Sequence, residues 1–200
     1  MDAALRRVKN APKQIRFASM VAVNETAKIL QRHTVTELLP GAFTLRSRGA
    51  PWWKPGTRMG FNIKFAGKSQ VEPVSILGSR ADWLLLQEKG GIKQAGGHSL
   101  AIPRVGAARP KETSVVPARS KPRRLLGEKR AFVMTANSGK HFIASRRGKK
   151  RLPLKIWYAF KSDAHIDPIL RFGPTESQLA NKVLPVEFQR ALARALATAK

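Results

Sequence analysis

The chain has 200 residues, 42% of them apolar, and carries 38 Lys and Arg against 12 Asp and Glu, a formal net charge of +26. Its length points to one domain and its apolar content to a real core, which excludes a wholly disordered chain, while the lack of cysteine excludes disulfides, thiolate metal sites and cysteine nucleophiles. A field of this sign favours polyanions or acidic protein surfaces, and it gives the sign of a partner without its identity.

No run of about 18 apolar residues occurs, so no membrane-spanning helix is expected. Arg6, Arg7 and Lys9 are followed by Pro12 and Lys13 rather than an apolar stretch, so no cleaved secretory signal is expected either. Residues 12–34 read as a helix. At roughly 100° per residue, Ile15, Ala18, Ala22, Val23, Ala27, Ile29 and Leu30 share one broad face, with Asn24, Glu25, Lys28, Gln31 and Arg32 opposite. Pro12 suits a first helical turn, and Pro40–Gly41 requires the helix to have ended.

Residues 40–57 form a loop punctuated by glycine and proline, with Trp52 and Trp53 at its middle. Alternation places Phe61, Ile63 and Phe65 on one face of a strand, and residues 71–77 can pair with it, with Pro73 at an edge. Residues 81–88 suggest one or two helical turns ending at Gly90–Gly91, and residues 99–102 a short strand. Residues 103–130 read as an extended arm, with Pro103, Pro110, Pro117 and Pro122 spaced among basic residues that include Arg119, Lys121, Arg123 and Arg124. A hairpin follows over 131–145, turning at Asn137, Ser138 and Gly139. A basic tip of Arg146, Arg147, Lys149, Lys150 and Arg151 leads into a third strand over 154–160, so hairpin and strand fill residues 131–160. Thr175 with Gln178 matches a capping box, and a C-terminal helix continues with a kink or break at Pro185. The order describes a single α+β domain over 1–200: long helix, small antiparallel meander with a basic arm, closing helix.

The catalytic inventory is thin. Neither a Walker-type nor a dinucleotide-type glycine loop occurs, and no G-x-S-x-G elbow. His33, His98, His141 and His165 are scattered, without helical ligand spacing. Asp163 and Asp167 flank His165, and a loop ending on Pro168 explains them better than a metal site. No catalytic, cofactor or metal residue is therefore assigned. Trp52 and Trp53 suit a plug that docks a loop on this domain or on a neighbouring subunit; stacking on bases, with Arg46, Arg48, Lys54 and Arg58 nearby, is the alternative. Residues 103–155 hold sixteen Lys and Arg against Glu112 and Glu128. That concentration exceeds what solubility requires and marks the arm and tip as the expected contact with DNA or an acidic partner.

Residues 17–28, Phe-Ala-Ser-Met-Val-Ala-Val-Asn-Glu-Thr-Ala-Lys, resemble the alanine-rich helix of phage and prophage minor tail proteins of the tail completion protein Z group. Residues 184–196, Leu-Pro-Val-Glu-Phe-Gln-Arg-Ala-Leu-Ala-Arg-Ala-Leu, resemble that group's closing helix. The likeness covers the two ends, and the middle matches in basic character alone. It implies a virion structural protein that completes the tail at its head-proximal end and helps heads join tails. It also implies a homo-oligomeric ring beside the tail terminator and connector, close to the DNA end, assembled in host cytoplasm and not an enzyme. The rival classes are a nucleic-acid-binding structural protein of ribosomal or nucleoid type, and an enzyme acting on nucleic acid. The latter lacks the paired carboxylates that metal-assisted chemistry needs.

Overall fold

A computed structural model of the chain describes residues 2–45, 51–108, 116–146, 148 and 152–198. The fold is mixed α+β, with long helices near both ends and antiparallel sheets between them. Where the sequence suggests one domain, the chain forms two compact units: Met1–Lys89 with Pro168–Lys200, and Gly90–Asp167.

Unit 1 is built on α1 (Asp2–His33) and α5 (Phe172–Thr198). Ala18 and Ala22 of α1 meet Ala191 and Ala195 of α5, with Val21, Phe188 and Leu192 alongside. The i, i+4 spacing puts each alanine pair on one stripe, and side chains of a single carbon let the backbones approach closely. Ile15, expected on this face, is 48% exposed. The opposite face of α1 is also covered. Asn24 Oδ1 accepts from the Ala66 amide (2.8 Å) and the Ser75 hydroxyl (2.6 Å), and Gln31 Nε2 donates to the Phe61 carbonyl (2.7 Å). Polar residues of that opposite face therefore hold a hairpin, β1 (Asn62–Lys64) paired antiparallel with β2 (Ile76–Gly78); the partner strand, expected over 71–77, begins only at Ile76.

Both ends of α1 correct the expected boundaries. The helix begins ten residues before Pro12 and passes through it. At the far end it continues through one π turn, Thr34–Leu38, into α2 (Leu39–Ala42). Proline has no N–H and its ring crowds the carbonyl four residues back. The π turn shifts the ladder by one residue, so that the Leu39 amide bonds Thr34, and Pro40 takes a first-turn position in α2. Leu39 is thereby fully buried with Phe61, Ala81, Leu84 and Leu170.

Helix α3 (Trp83–Lys89) forms where one or two turns were expected. Its Glu88 accepts from the Phe172 and Gly173 amides at 2.6 and 2.8 Å, so α5 starts three residues before Thr175 and is capped from a distant segment. Pro185 lies inside one uninterrupted helix, not between two.

Unit 2 holds a four-stranded antiparallel sheet in the order β4 (Leu100–Pro103), β7 (Leu154–Lys161), β6 (His141–Arg146), β5 (Phe132–Thr135). The β5–β6 hairpin turns at Gly139 (φ +75°), whose amide bonds the Ala136 carbonyl, as expected of this segment. A second pairing was not foreseen: β3 (Gly91–Gln94) runs antiparallel to β8 (Asp163–Ile166). The Asp163–His165 segment, expected as a loop, is therefore strand. Ile143 and Tyr158, neighbours across β6 and β7, form the core with Ala108, Leu125 and Ala131.

Candidate interaction surface

The extended arm expected over 103–130 is folded wherever the structure describes it. After β4, the Ala108 amide bonds the Arg104 carbonyl and Ala108 is buried. Residues 109–115 lie outside the described residues. From Pro117 the chain makes a 3-10 turn (Ala118–Ser120) and then α4 (Pro122–Gly127), with Pro122 in the first turn where its missing N–H costs nothing. Two contacts pin this segment on the sheet. Leu125 is buried in the core, and the Tyr158 hydroxyl donates to the Ser120 carbonyl at 2.7 Å. Burial raises the Tyr158 phenol above its ordinary pKa, so it stays a donor. The Arg130 guanidinium closes the segment by donating to the Arg119 carbonyl (2.6 Å) and pairing with Glu128 (2.7 Å).

This scaffold brings four expected contact residues, Arg119, Lys121, Arg123 and Arg124, onto one short segment, all four exposed while Ser120 and Leu125 between and beside them are buried. Arg146, at the end of β6, is exposed too, its guanidinium 5.6 Å from the Phe132 ring centroid. Arg147, Lys149, Lys150 and Arg151 lie outside the described residues. Unit 2 as a whole carries 18 Lys and Arg against 4 Asp and Glu, a net of +14. The ion pairs among its described residues are Arg130–Glu128 and His165–Asp167 (3.3 Å, both exposed). Most of its positive charge is thus without a carboxylate partner among the described residues.

A second basic feature of unit 2 gave no sequence signal, because it forms where three separate turns converge. The β3–β4, β5–β6 and β7–β8 connections enclose an open cleft of about 930 Å³. Lys140, Lys161, His98 and His141 line it beside Phe160, with Asp163 the acid. Gly96 and Gly97 line it at φ +55° and +88°, a region that L side chains avoid, so the backbone there is bare.

Trp52 and Trp53 sit in unit 1, partly buried against the cluster around Leu39 and Leu84. Trp52 meets Trp83 edge-on at 4.7 Å between ring centroids, and Trp53 meets Trp52 at 5.9 Å. They dock on their own unit, through the apolar cluster around Leu39 and Leu84. Among the described residues no group of three or more His, Asp or Glu could hold a metal ion, and no helix is long and apolar enough to cross a membrane. Sequence reading missed His33, whose Nδ1 lies 2.8 Å from Glu176 Oε1; residues 143 positions apart carry no local signal.

Compared with protein families, curated proteins and solved structures, the chain matches none.

Proposed function

We propose that this protein is a non-enzymatic assembly component whose unit 2 meets an acidic partner through the basic segment around α4 and the basic tip at the end of β6. The observation that carries this reading is the separation of roles: Arg119, Lys121, Arg123 and Arg124 stand on a segment anchored by Leu125 and Tyr158, which hold the backbone while the charges do no structural pairing among the described residues. Charge presented on a fixed scaffold suits a fixed complementary surface.

Within that class the favoured place is the head-proximal end of a phage tail, as a tail completion or neck protein. The two resembling segments, 17–28 and 184–196, supply the alanines that meet in the α1–α5 seam, so the likeness falls on one packed substructure rather than on two unrelated ends. The expected partners are the tail terminator and connector, other copies of the chain in a ring, and the DNA end. The test is complementation. Particles made without this chain should accumulate separate heads and tails, and purified protein should restore joining. Normal joining in its absence would overturn the tail reading.

The cleft lined by Lys140 and Lys161 favours a second reading, a nucleic-acid-binding structural protein. That reading expects the isolated chain to bind DNA tightly, with an affinity that falls steeply as salt rises.

A further inference from the structure

The buried side-chain atoms without a hydrogen-bond partner among the described residues are two: Thr26 Oγ1 and Glu176 Oε2. Both residues line the same groove of unit 1, about 400 Å³, within the roughly 300–1,000 Å³ typical of small-ligand sites. Its walls are Val23 and Leu30 of α1, Val74 and Leu77 at β2, and Ala180 and Leu184 of α5. Each unpartnered atom costs free energy, so two at one groove require an explanation.

The polar pair is not incidental to the fold. Glu176 is 5% exposed, and its other oxygen, Oε1, is engaged by His33 Nδ1 and the Thr34 hydroxyl, each at 2.8 Å. That fixes the side chain and leaves Oε2 as the free acceptor. Thr26, also 5% exposed, adds a second acceptor. In a chain with 38 Lys and Arg, none of the fourteen residues lining this groove is basic. The site is thus a largely apolar channel whose polar side chains are one carboxylate and the hydroxyls of Thr26, Ser75 and Ser177, with no basic residue in its lining. A single carboxylate is too few ligands for a metal but matches one charged N–H donor.

We propose that this groove binds a protonated aliphatic amine, its alkyl body along the Val23, Leu30, Val74 and Leu184 wall and its ammonium donating to Glu176 Oε2 and Thr26 Oγ1. The chemistry is shared by a free alkylamine and by a lysine side chain of a second copy. The inference stands apart from the role of unit 2.

The experiment titrates the full-length chain with n-hexylammonium and, separately, n-hexanol, following methyl and amide NMR shifts. Hexylammonium should bind about tenfold tighter than hexanol, the difference being the charge-assisted hydrogen bond. Glu176→Gln and Thr26→Val should each weaken hexylammonium while leaving hexanol nearly unchanged. Ala180→Met, which fills the groove without touching either polar group, should weaken both and keeps the test open if Glu176→Gln fails to fold. Sedimentation distinguishes the sources. A second copy's lysine predicts self-association that hexylammonium and Glu176→Gln both reverse, whereas a free amine predicts binding by a monomer. Equal affinity for amine and alcohol, or amine binding unmoved by Thr26→Val and Ala180→Met, overturns the proposal.

Discussion

Units 1 and 2 use charge in opposite ways. In unit 1 three of the eight carboxylates are structural: Glu88 caps α5, Glu187 is buried and pairs with Arg190 at 2.6 Å, and Glu176 ties His33 and Thr34 together. In unit 2 the abundant cations are held up by the fold but take little part in it. The core of Ile143, Tyr158 and Leu125 is apolar apart from one phenol, and the basic side chains among the described residues lie outside it. A charge that folds the chain is buried and matched. A charge kept for a partner is exposed and unmatched, because it must remain available.

This contrast predicts that core substitutions cost the same in both units. Leu39→Ala in unit 1 and Ile143→Ala in unit 2 each remove a fully buried aliphatic side chain. Each should destabilise by about 2–5 kcal/mol, read as a shift in denaturant midpoint. A loss below about 1 kcal/mol at Ile143 would mean that unit 2 is not a packed body, and the comparison would fail.

A smaller effect sharpens it. Tyr158→Phe removes the hydroxyl that holds Ser120 and with it the α4 segment. The cost should be roughly 1–2 kcal/mol, since a buried carbonyl is left without its donor. Burial raises this phenol above its ordinary value of 10.0, so the unfolded chain releases its proton at lower pH than the folded one. The linked stability is fully present below 10.0 and is lost as pH rises through the raised value. Thermal melts at alkaline pH should therefore fall less steeply for Tyr158→Phe than for the parent. Equal slopes would show that Tyr158 is not the group concerned.

What the sequence made legible follows from the range of the interactions. The β5–β6 hairpin and α3 are local, fixed by alternation and by turn residues such as Gly139, and they form where expected, while the partner of β1 falls at Ile76–Gly78, at the far end of the 71–77 stretch expected to pair with it. The start of α5 was misread because its cap, Glu88, stands more than eighty residues away, and nothing near Thr175 could reveal it. Pro40 and Pro185 were overweighted as breakers, and Pro12, read as a first-turn residue, lies inside α1. A helix tolerates proline once a neighbouring ladder shift or tertiary packing supplies the missing bond. The arm was misread for a related reason: proline spacing and basic composition describe its surface, while Leu125, Ala108 and Tyr158 decide that it packs. The basic character of Arg119, Lys121, Arg123 and Arg124 was legible from charge density alone. The cleft with Lys140 and Lys161 was not, since three turns separated in sequence compose it.

The smallest expected effect on stability is the most informative about the partner. Replacing Arg119, Lys121, Arg123 and Arg124 by glutamine removes four charges that make no ion pair among the described residues. Surface changes of this kind shift stability by no more than about 0.5 kcal/mol each, and relieving self-repulsion in a chain of net +26 pushes the sign toward stabilisation. Function should respond far more than folding. If these side chains neutralise phosphates, the slope of log affinity for DNA against log salt should flatten by about 0.9 for every phosphate left without its cation. If they meet an acidic protein, DNA binding should keep its slope while assembly fails. The protein-partner outcome is the one expected, because the segment is pinned at Leu125 and Ser120 and presents its charges in a fixed arrangement. A flexible basic tail would serve free DNA equally well. A variant that assembles normally and keeps the parental salt slope would show that the segment is merely solvated. The idle charge of unit 2 would then have to be sought at the cleft.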